Sequence, residues 1–379
     1  MAGYLFDTDF TWFNAYIFYV LVAITVIQLY YLWGIYARFA FYRKKSKPAG
    51  QPPVSVVVCA KNEYQNLKAN LPVILNQNYP DYEVIVVNDA SDDETVFLLQ
   101  DLEREYRHLK IVNIQQDLNF FKGKKFPLSI GIKSAKNEWL LLTDADCMPA
   151  GADWIKEMAA NFDDRTEIVL GYGQYKPRTS LLNLIIRYET TMTAIQYFSF
   201  ALVGLPYMGV GRNLAYRKSL FIRNHGFISH YKIPSGDDDL FINKVANKNN
   251  TTIETGTGSF TISAPKQKFV SWWMQKRRHL TTGSLYRKKH KFLLGLYTSS
   301  MLMFYLIFAL LLVLRYSFLL VMIVFALRLL SWLIVFKKSM IRLNERKLLL
   351  ISPLCELFLL GVYPVIYLAN QVAREKKWK

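Results

Sequence analysis

The sequence predicts an α/β domain built on one open, mainly parallel β-sheet, with membrane helices on both sides of it in the chain. Three apolar, β-branched runs in the middle of the chain each end in polar residues, and segments with helical apolar spacing separate them. Long stretches almost free of charge flank this region. Hydrophobic residues make up 52% and aromatic residues 15% of the 379 residues, which exceeds the usual content of a soluble protein.

The N-terminal apolar segment is long enough to cross a membrane. No charged residue occurs between Phe10 and Ala37, whereas a spanning helix needs roughly 20 apolar residues. Aromatic residues cluster at its two ends, as in interfacial belts: Trp12, Phe13 and Tyr16, then Tyr30, Tyr31, Trp33 and Tyr36. A cleaved signal peptide would have a shorter apolar region with basic residues before it. Here the basic residues follow, so we expect a membrane helix.

Basic residues occur at both ends of the middle region. Arg43, Lys44, Lys45 and Lys47 follow the first apolar segment, and a second cluster at 266–291 precedes the next. The positive-inside rule places both ends in the cytoplasm and the N-terminus outside. The net charge of +18 is concentrated here, which favours anionic phospholipid headgroups over nucleic acid as a partner. We therefore expect an integral protein of a bacterial inner (plasma) membrane that binds no nucleic acid.

The C-terminal region is too long for one helix. Arg315 near the middle of 292–336 predicts a hairpin of two spans, and Arg328 inside the second span should face protein or water. The last apolar segment, 348–370, precedes the basic residues "AREKKWK". A full crossing would place those residues outside, so a re-entrant or interfacial helix is the alternative and three or four spans remain open. The three cysteines lie far apart and predict no disulfide framework, as in a cytoplasmic domain.

These observations predict four parts. The boundaries are 1–48 for the N-terminal helix and basic linker, 49–265 for the α/β domain, 266–291 for a basic amphipathic segment, and 292–379 for a C-terminal membrane bundle. In the amphipathic segment, "KFVSWWMQKRRHL" mixes aromatic and basic residues, which is typical of a helix in the membrane interface. Trp272 and Trp273 are predicted to be interfacial anchors, with sugar platforms as the alternative.

Several polar residues follow the predicted strands. The strands are "VSVVVCA" (54–60), "YEVIVVNDAS" (82–91) and "EWLLLTDAD" (138–146). Ligands of open α/β sheets bind beyond the carboxyl ends of the strands. The residues at those ends are Asn62, Glu63, Asp89, Asp144 and Asp146.

Asp144 and Asp146 stand one residue apart, just past a hydrophobic strand. Strand alternation turns their side chains the same way, so both can face one Mg²⁺ or Mn²⁺, or divide a metal and a sugar between them. Such a metal would neutralise a nucleotide diphosphate leaving group. Asp92 and Asp93, by contrast, are better explained as turn or capping residues.

A second acidic group, "GDDD", comes later in the chain. Gly236 allows a tight backbone just before the aspartates. Three adjacent like charges repel one another and favour a cation nearby, although a solvated turn is the alternative. A carboxylate here could accept the proton that an attacking hydroxyl must lose.

The order and spacing of several motifs resemble the inverting family 2 glycosyltransferases with the GT-A fold. The motifs are "VSVVVCAKNE", "VIVVNDASDDET", "GKKFPLSIGIKSAKNEWLLLTDAD", "GVGRNLAYRKSLF", "SGDDDLF" and "QKRRH". The resemblance covers about 52–280. It is strongest to the membrane-bound branch with a (Q/R)XXRW motif, which includes ceramide glucosyltransferase and the cellulose, chitin, hyaluronan and poly-N-acetylglucosamine synthases.

The resemblance implies a donor site. It assigns Asp89 to a hydrogen bond from the nucleotide base, with Ala60 and Glu63 in the same pocket and Lys124 near the phosphates. It also implies that Asp144 meets the donor and that Asp146 binds the metal.

It further implies an acceptor site. Asp238 matches the catalytic base, with Asp239 as the alternative. Gln275 and Arg278 match the first and fourth positions of QXXRW, but His279 stands where the family has tryptophan.

The expected function is metal-dependent transfer of one hexose, with inversion, from a UDP-sugar to a membrane lipid alcohol. The alternative is a processive synthase of a β-linked glucan or N-acetylglucosamine polymer. Three or four helices are few for a secretion channel unless subunits combine, and His279 also favours single transfer. A non-enzymatic sensor of nucleotide-sugars is the third hypothesis.

Overall fold

A computed structural model describes residues 7–44, 50–115, 123–233 and 235–372. Lys45, Lys47 and the basic C-terminal residues 373–379 lie outside them. The helices are α1 (Asp7–Leu29), α2 (Ala37–Ala40), α3 (Tyr64–Leu75), α4 (Thr95–Glu105), α5 (Lys125–Ser134), α6 (Trp154–Ala159), α7 (Leu181–Leu202), α8 (Lys218–Arg223), α9 (Asp239–Val245), α10 (Phe269–His279), α11 (Lys288–Val313), α12 (Phe318–Arg342) and α13 (Ser352–Val372). The strands are β1 (Val54–Ala60), β2 (Tyr82–Asp89), β3 (Leu109–Ile114), β4 (Trp139–Asp144), β5 (Cys147–Pro149), β6 (Ile168–Leu170), β7 (Gly173–Tyr175), β8 (Leu214–Arg217), β9 (Thr251–Ile253) and β10 (Thr261–Ser263).

The main sheet has seven strands in the order β3-β2-β1-β4-β8-β6-β9. Strands β1 to β4 are parallel to one another, and β8 runs antiparallel to both β4 and β6. A small second sheet has the order β5-β10-β7. The three apolar runs of the sequence form β1, β2 and β4, so the predicted mainly parallel sheet is confirmed. The register sets Cys59 beside Asp144 and Ala60 beside Asn88 at the carboxyl edge.

Both faces of the sheet are covered, as its uninterrupted apolar strands require. On one face, the alternate residues Val54, Val56 and Val58 of β1 pack in a buried cluster with residues of α3, α4 and α6. On the other face, α5 approaches so closely that a Cβ on Gly131 would lie 2.7 Å from Val57 and 2.8 Å from Val87. The cluster on this face continues through α7 into the membrane helices.

Four helical segments in the described part of the chain are long and apolar enough to span a membrane: Trp12–Ala40, Lys288–Val313, Phe318–Arg342 and Ser352–Val372. In the first, a π-helical segment, Tyr30–Tyr36, joins α1 to α2. The predicted hairpin is present, because α11 and α12 meet at a turn where Arg315 has a φ of 52°. Arg328 is only 1% exposed and forms an ion pair with Glu356 of α13. It therefore faces protein, as expected.

Ion pairs and hydrogen bonds attach the α/β domain to these helices. Lys44, shortly after α2, forms an ion pair of 2.8 Å with Glu254, whose side chain is fully buried. Arg187 of α7 donates from Nε to Glu345 Oε2 at 3.0 Å, in the connection between α12 and α13. Arg342, at the end of α12, donates to the carbonyl of Tyr42. The domain thus contacts the membrane helices near both of its tethers.

One expectation for the amphipathic segment is wrong. The structure has α10 where a helix was predicted, but Trp272 is fully buried inside the protein. Its ring lies 5.2 Å from that of Phe269 and 6.5 Å from that of Phe358, and its Nε1 donates to Glu189 Oε2 at 3.2 Å. A tryptophan whose ring is packed and whose N–H is satisfied within the protein cannot anchor the helix in lipid. Phe269, Val270 and Met274 are the exposed large apolar residues of this helix.

Candidate active site

A cleft of about 690 Å³ opens at the carboxyl edge of the main sheet. Its wall includes Cys59 at the end of β1 and Asp144 at the end of β4. Because β1 and β4 are adjacent and parallel, their carboxyl ends present side chains to one place. The cleft therefore lies where the sequence analysis expected a ligand.

Asp144 and Asp146 lie together in this cleft. Ligand atoms of these two residues and Cys147 are all within 4.8 Å of one another. Burial, and then the charge of Asp144, raise the pKa of Asp146. Burial also raises the pKa of Cys147 well above its usual value, so the thiol stays protonated. The donor set is thus two carboxylates, and oxygen ligands of this kind fit Mg²⁺ or Mn²⁺.

Lys124 connects the two acidic groups of the sequence. Its Nζ forms an ion pair with Asp144 and lies 3.9 Å from Asp237 Oδ2. Burial alone would raise the pKa of Asp144, but the charge and hydrogen bond of Lys124 outweigh burial and lower it. A charged pair is thus held at the edge of the cleft. Asp237 was not singled out by the sequence analysis, which assigned no role to the first aspartate of "GDDD".

Arg212 is a second cation in the cleft that sequence reasoning missed. Its guanidinium stacks 4.3 Å from the centre of the Tyr175 ring, and its Nη1 donates to Ser263 Oγ at 2.9 Å. Burial on its own would raise the pKa values of Asp144 and Asp146. The charge of Arg212 opposes this effect at both carboxyl groups, because it favours their ionised forms. Its only signal was its place in "GVGRN", since no spacing rule marks a single arginine.

Asp238 lines the cleft and is held by backbone amides. Its Oδ2 accepts a hydrogen bond from Gly211 N, and its Oδ1 accepts one from Asp239 N, each at 2.7 Å. Burial, and then the charges of Asp237 and Asp239, raise its pKa to about 8. A carboxyl group with this pKa exchanges protons near neutral pH, which suits a general base.

Asp239 has different partners from its neighbour. Its Oδ2 accepts hydrogen bonds from the hydroxyls of Thr282 and Tyr286, the latter at 2.7 Å. Burial raises its pKa, although both hydroxyls oppose this. These partners lie in the connection between α10 and α11. Asp239 therefore fastens that connection to the start of α9. Sequence alone could not distinguish this role from that of Asp238.

Lys125 supports the loop that precedes "GDDD". Its buried Nζ donates to the carbonyls of His230 at 3.0 Å, Ile233 at 2.5 Å and Ser235 at 2.5 Å. The loop then turns at Gly236, whose φ of 97° is unfavourable for other residues, as the sequence analysis expected. Since one ammonium group binds three carbonyls, Lys125 fixes the path of the backbone into the aspartates.

Helix α10 brings Gln275, Arg278 and His279 to the wall of the cleft. Its position depends on Glu189 of α7, which forms an ion pair of 2.7 Å with Lys276 and accepts the hydrogen bond from Trp272. The structure therefore brings the predicted "QKRRH" residues to the same cleft as Asp144, Asp146 and Asp238.

The residues expected to hold the nucleotide base are only partly in the wall. Glu63 lines the cleft. Ala60 and Asp89 are at the carboxyl ends of β1 and β2, and neither is among the described residues of the lining. Burial raises the pKa of Cys59, and the charge of Asp89 contributes to this rise, so Asp89 lies near Cys59. Their assignment to the base stays a prediction.

The far end of the cleft reaches the membrane helices. Its wall includes Thr193 and Gln196 of α7, Leu294 of α11 and Tyr363 of α13. Tyr363 donates from its hydroxyl to Glu189 Oε1 at 2.5 Å. One continuous cavity thus extends from the paired carboxylates to two helices that are apolar enough to lie in a bilayer.

Comparison with known proteins agrees with this geometry. Residues 55–223 match the family described as glycosyl transferase family 2. An uncharacterized glycosyltransferase of Haemophilus influenzae is 25% identical over 207 residues, which are 52% of this chain and 60% of that protein. The poly-β-1,6-N-acetyl-D-glucosamine synthase of Staphylococcus epidermidis is 32% identical over 93 residues, 24% of this chain and 21% of the synthase. The β-monoglucosyldiacylglycerol synthase of Trichormus variabilis is 30% identical over 134 residues, 35% of this chain and 28% of that synthase.

In each of these three relatives, the matched part is 60% of the length or less. Among solved structures, most of this chain is similar to the mannosyltransferase PcManGT from Pyrobaculum calidifontis, which was solved in complex with GDP-Man and Mn²⁺. The TM-score is 0.58 at 18% identity, and the match covers 91% of this chain and 99% of that one. At this identity the likeness concerns the fold. Together with the family match, it means that the chain carries a glycosyltransferase domain of family 2 with the GT-A fold.

Proposed function

We propose that the protein transfers a single hexose, with inversion, from a UDP-sugar to the hydroxyl of a membrane lipid. The observation that carries this proposal is the continuous cleft, whose wall includes Asp144 and Asp146 as well as Leu294 of α11 and Tyr363 of α13. A donor bound at the carboxylates would face an acceptor that need not leave the bilayer. The glucolipid synthase among the relatives supports a lipid acceptor, because its name describes sugar transfer to such a lipid.

In this proposal Asp238 is the general base. A lipid hydroxyl in the cleft gives its proton to the Asp238 carboxylate while its oxygen forms a bond to the anomeric carbon. The bond from that carbon to the diphosphate breaks at the same time, and UDP leaves with the electron pair. One displacement of this kind inverts the configuration. The hydrogen bonds from Gly211 N and Asp239 N hold the carboxylate in place during the proton transfer.

The departing diphosphate gains negative charge, and three side chains of the cleft can compensate it. Lys124, Arg212 and Arg278 all line the cleft. Asp144 holds Lys124 in place before the reaction, and Tyr175 and Ser263 hold Arg212, so stabilisation by these two side chains costs little reorganisation. Asp144 and Asp146 would hold a divalent cation, which would add a Lewis acid at the diphosphate.

Polymer synthesis is the second candidate, because one relative is a poly-N-acetylglucosamine synthase. A processive enzyme must move its growing chain out of the site and across the membrane. The described part of the chain has four candidate spanning helices, and Arg328 among them is paired rather than free to line a polar channel. These features favour single transfer.

The test is a product analysis with purified protein in lipid nanodiscs. The protein is supplied with a panel of radiolabelled UDP-hexoses and UDP-N-acetylhexosamines, and total lipids are separated and weighed by mass spectrometry. We expect one discrete glycolipid, heavier than its acceptor by one hexose, that does not lengthen with time or with excess donor. A ladder of products or an insoluble polymer would establish the synthase instead. If every donor gives no transfer although UDP-sugar binds, the sensor hypothesis stands.

A further inference from the structure

We infer that α13 does not cross the membrane, but re-enters it from the face that carries the catalytic domain and returns to that face. The segment that leads into α13 is bound to the domain, because Glu345 accepts hydrogen bonds from Arg187 and Tyr172. The end of α13 is bound to the domain as well. Asn370 accepts from Arg277 Nε at 2.9 Å and donates back to the Arg277 carbonyl at 2.8 Å.

One helix of the domain, α7, contacts both the segment before α13 and the second half of α13. Glu345, before α13, binds Arg187 of α7, and Tyr363, in its second half, binds Glu189 of the same helix. Arg187 and Glu189 are two residues apart. A helix that left the domain and ended across a bilayer of about 30 Å could not return a side chain to the starting level.

The ion pair between Arg328 of α12 and Glu356 of α13 indicates how deep the start of α13 lies in the membrane. Arg342, at the end of α12, touches the carbonyl of Tyr42 and so marks the domain face. Fourteen residues separate Arg328 from Arg342, and fourteen separate Glu356 from Asn370. Each interval is about 21 Å of helix at about 1.5 Å per residue. Arg328 and Glu356 are in contact. From this contact, α12 and α13 therefore run over similar distances to the same face.

Two consecutive helices that run toward the same face need a connection that runs back. The residues from Glu345 to Ile351 provide it: they form neither helix nor strand, and the backbone turns at Lys347, whose φ is 64°. The second part of this connection is apolar, with "LLLI" at 348–351 after the charged residues Glu345, Arg346 and Lys347. Its composition suits insertion into one leaflet. Only three helices then cross the membrane in the described part of the chain.

The face of α13 turned away from the protein is apolar along its whole length. Its exposed side chains include Leu354, Leu357, Val365 and Leu368, which follow helical spacing. This face contacts the lipid acyl chains of the leaflet next to the domain. Helix α13 is thus the wall between the cleft and the lipid.

Cysteine labelling tests the topology without reference to enzyme activity. Single cysteines are introduced as Gln371→Cys after Asn370, Lys338→Cys near the end of α12 and Arg315→Cys in the turn between α11 and α12, all at exposed positions. A membrane-impermeant maleimide is applied to intact cells and to sealed inverted vesicles. The unsubstituted protein, with its own cysteines buried or half-buried, gives the background.

We expect Gln371→Cys to be labelled from the same side as Lys338→Cys, and Arg315→Cys from the opposite side. Labelling of Gln371→Cys from the same side as Arg315→Cys would overturn the inference. The comparison does not depend on which side faces the cytoplasm.

A second measurement covers a variant that labels poorly. Nitroxide labels at Leu354, Leu357, Val365 and Leu368 report depth through their collisions with oxygen and with a water-soluble nickel complex. A re-entrant α13 should be deepest at Leu354 and become steadily shallower toward Leu368. A depth maximum in the middle of the helix would show that it crosses.

Discussion

Replacement of Asp238 by asparagine should separate catalysis from donor binding. The carboxylate that accepts the proton is lost, so kcat should fall by about 10²-fold to 10⁴-fold, the usual contribution of a general base. Donor affinity should change little, because the proposed donor contacts are at Asp144, Asp146 and Lys124. Rates come from radiolabelled transfer in nanodiscs, and UDP-sugar affinity comes from calorimetry.

The pH dependence gives the same test a second readout. With a pKa of about 8, about one Asp238 carboxyl in ten is ionised at pH 7 in the donor-free protein. For the parent protein, kcat/KM should therefore rise about tenfold for each pH unit below 8 and level off above it. The Asp238→Asn variant should lack this rise. A parent profile that is flat between pH 6 and 8 would contradict the assignment of the base.

Stability measurements exclude misfolding as the cause. The folded pKa of Asp238 lies above its unfolded value, so the proton is bound more tightly in the folded state and stability falls as pH rises from about 4 to about 8. Asparagine removes this penalty. The Asp238→Asn variant should therefore melt at or above the temperature of the parent at pH 8.5.

The neighbouring Asp239→Asn is the informative comparison. It disturbs the hydrogen bonds of Asp239 with Thr282, Tyr286 and Leu240 N, so the free energy of unfolding should fall by about 1–3 kcal/mol. Its kcat should stay within about tenfold of the parent, since its carboxylate fastens structure. Asp164→Asn, at an exposed aspartate, is the matched control and should change neither quantity. If Asp239→Asn is the inactive variant and Asp238→Asn is active, the base is Asp239.

Three further predictions concern the metal, the loop and the membrane. EDTA should abolish transfer, Mn²⁺ or Mg²⁺ should restore it, and Asp146→Asn should weaken UDP-sugar binding; full activity in EDTA would contradict the metal site. Lys125→Met leaves three carbonyls without their ammonium donor, so kcat should fall while donor affinity stays near the parent value, and Lys125→Arg should recover part of kcat. Arg328→Met leaves Glu356 buried and unpaired and should destabilise the protein by about 3–5 kcal/mol. The double variant Arg328→Met, Glu356→Gln should regain stability, and equal melting of single and double variants would show that the pair contributes little.

The sequence predicted those parts of the fold whose signal is local. Apolar β-branched runs gave β1, β2 and β4, and helical apolar spacing gave α3 and α4. The later strands, β5 to β10, have only three or four residues each. In such a short segment, the two-residue alternation of a strand cannot be distinguished from the pattern of a loop. Their places depend on pairing partners far away in the chain.

The candidate site divides in the same way. Asp144 and Asp146 were found because both follow a strong strand, and the resemblance to a family directed attention to Asp238. Sequence could not separate Asp238 from Asp239, since their difference rests on Gly211 and on Tyr286. It also misplaced Trp272, because nothing local shows that Glu189, 83 residues earlier, accepts its N–H.

The ion pairs of Lys44 with Glu254 and of Arg187 with Glu345 have a consequence for substrate supply. A domain held by one flexible linker would sample many heights above the bilayer and meet its acceptor only during part of that time. Contacts on both sides keep the cleft at one height, so under the proposed function a lipid acceptor would reach it by lateral diffusion within a layer about one molecule thick. Confinement of the cleft and the lipid acceptor to one layer raises their effective concentration for each other. Consequently, initial rates should follow the mole fraction of acceptor in the membrane rather than its bulk concentration.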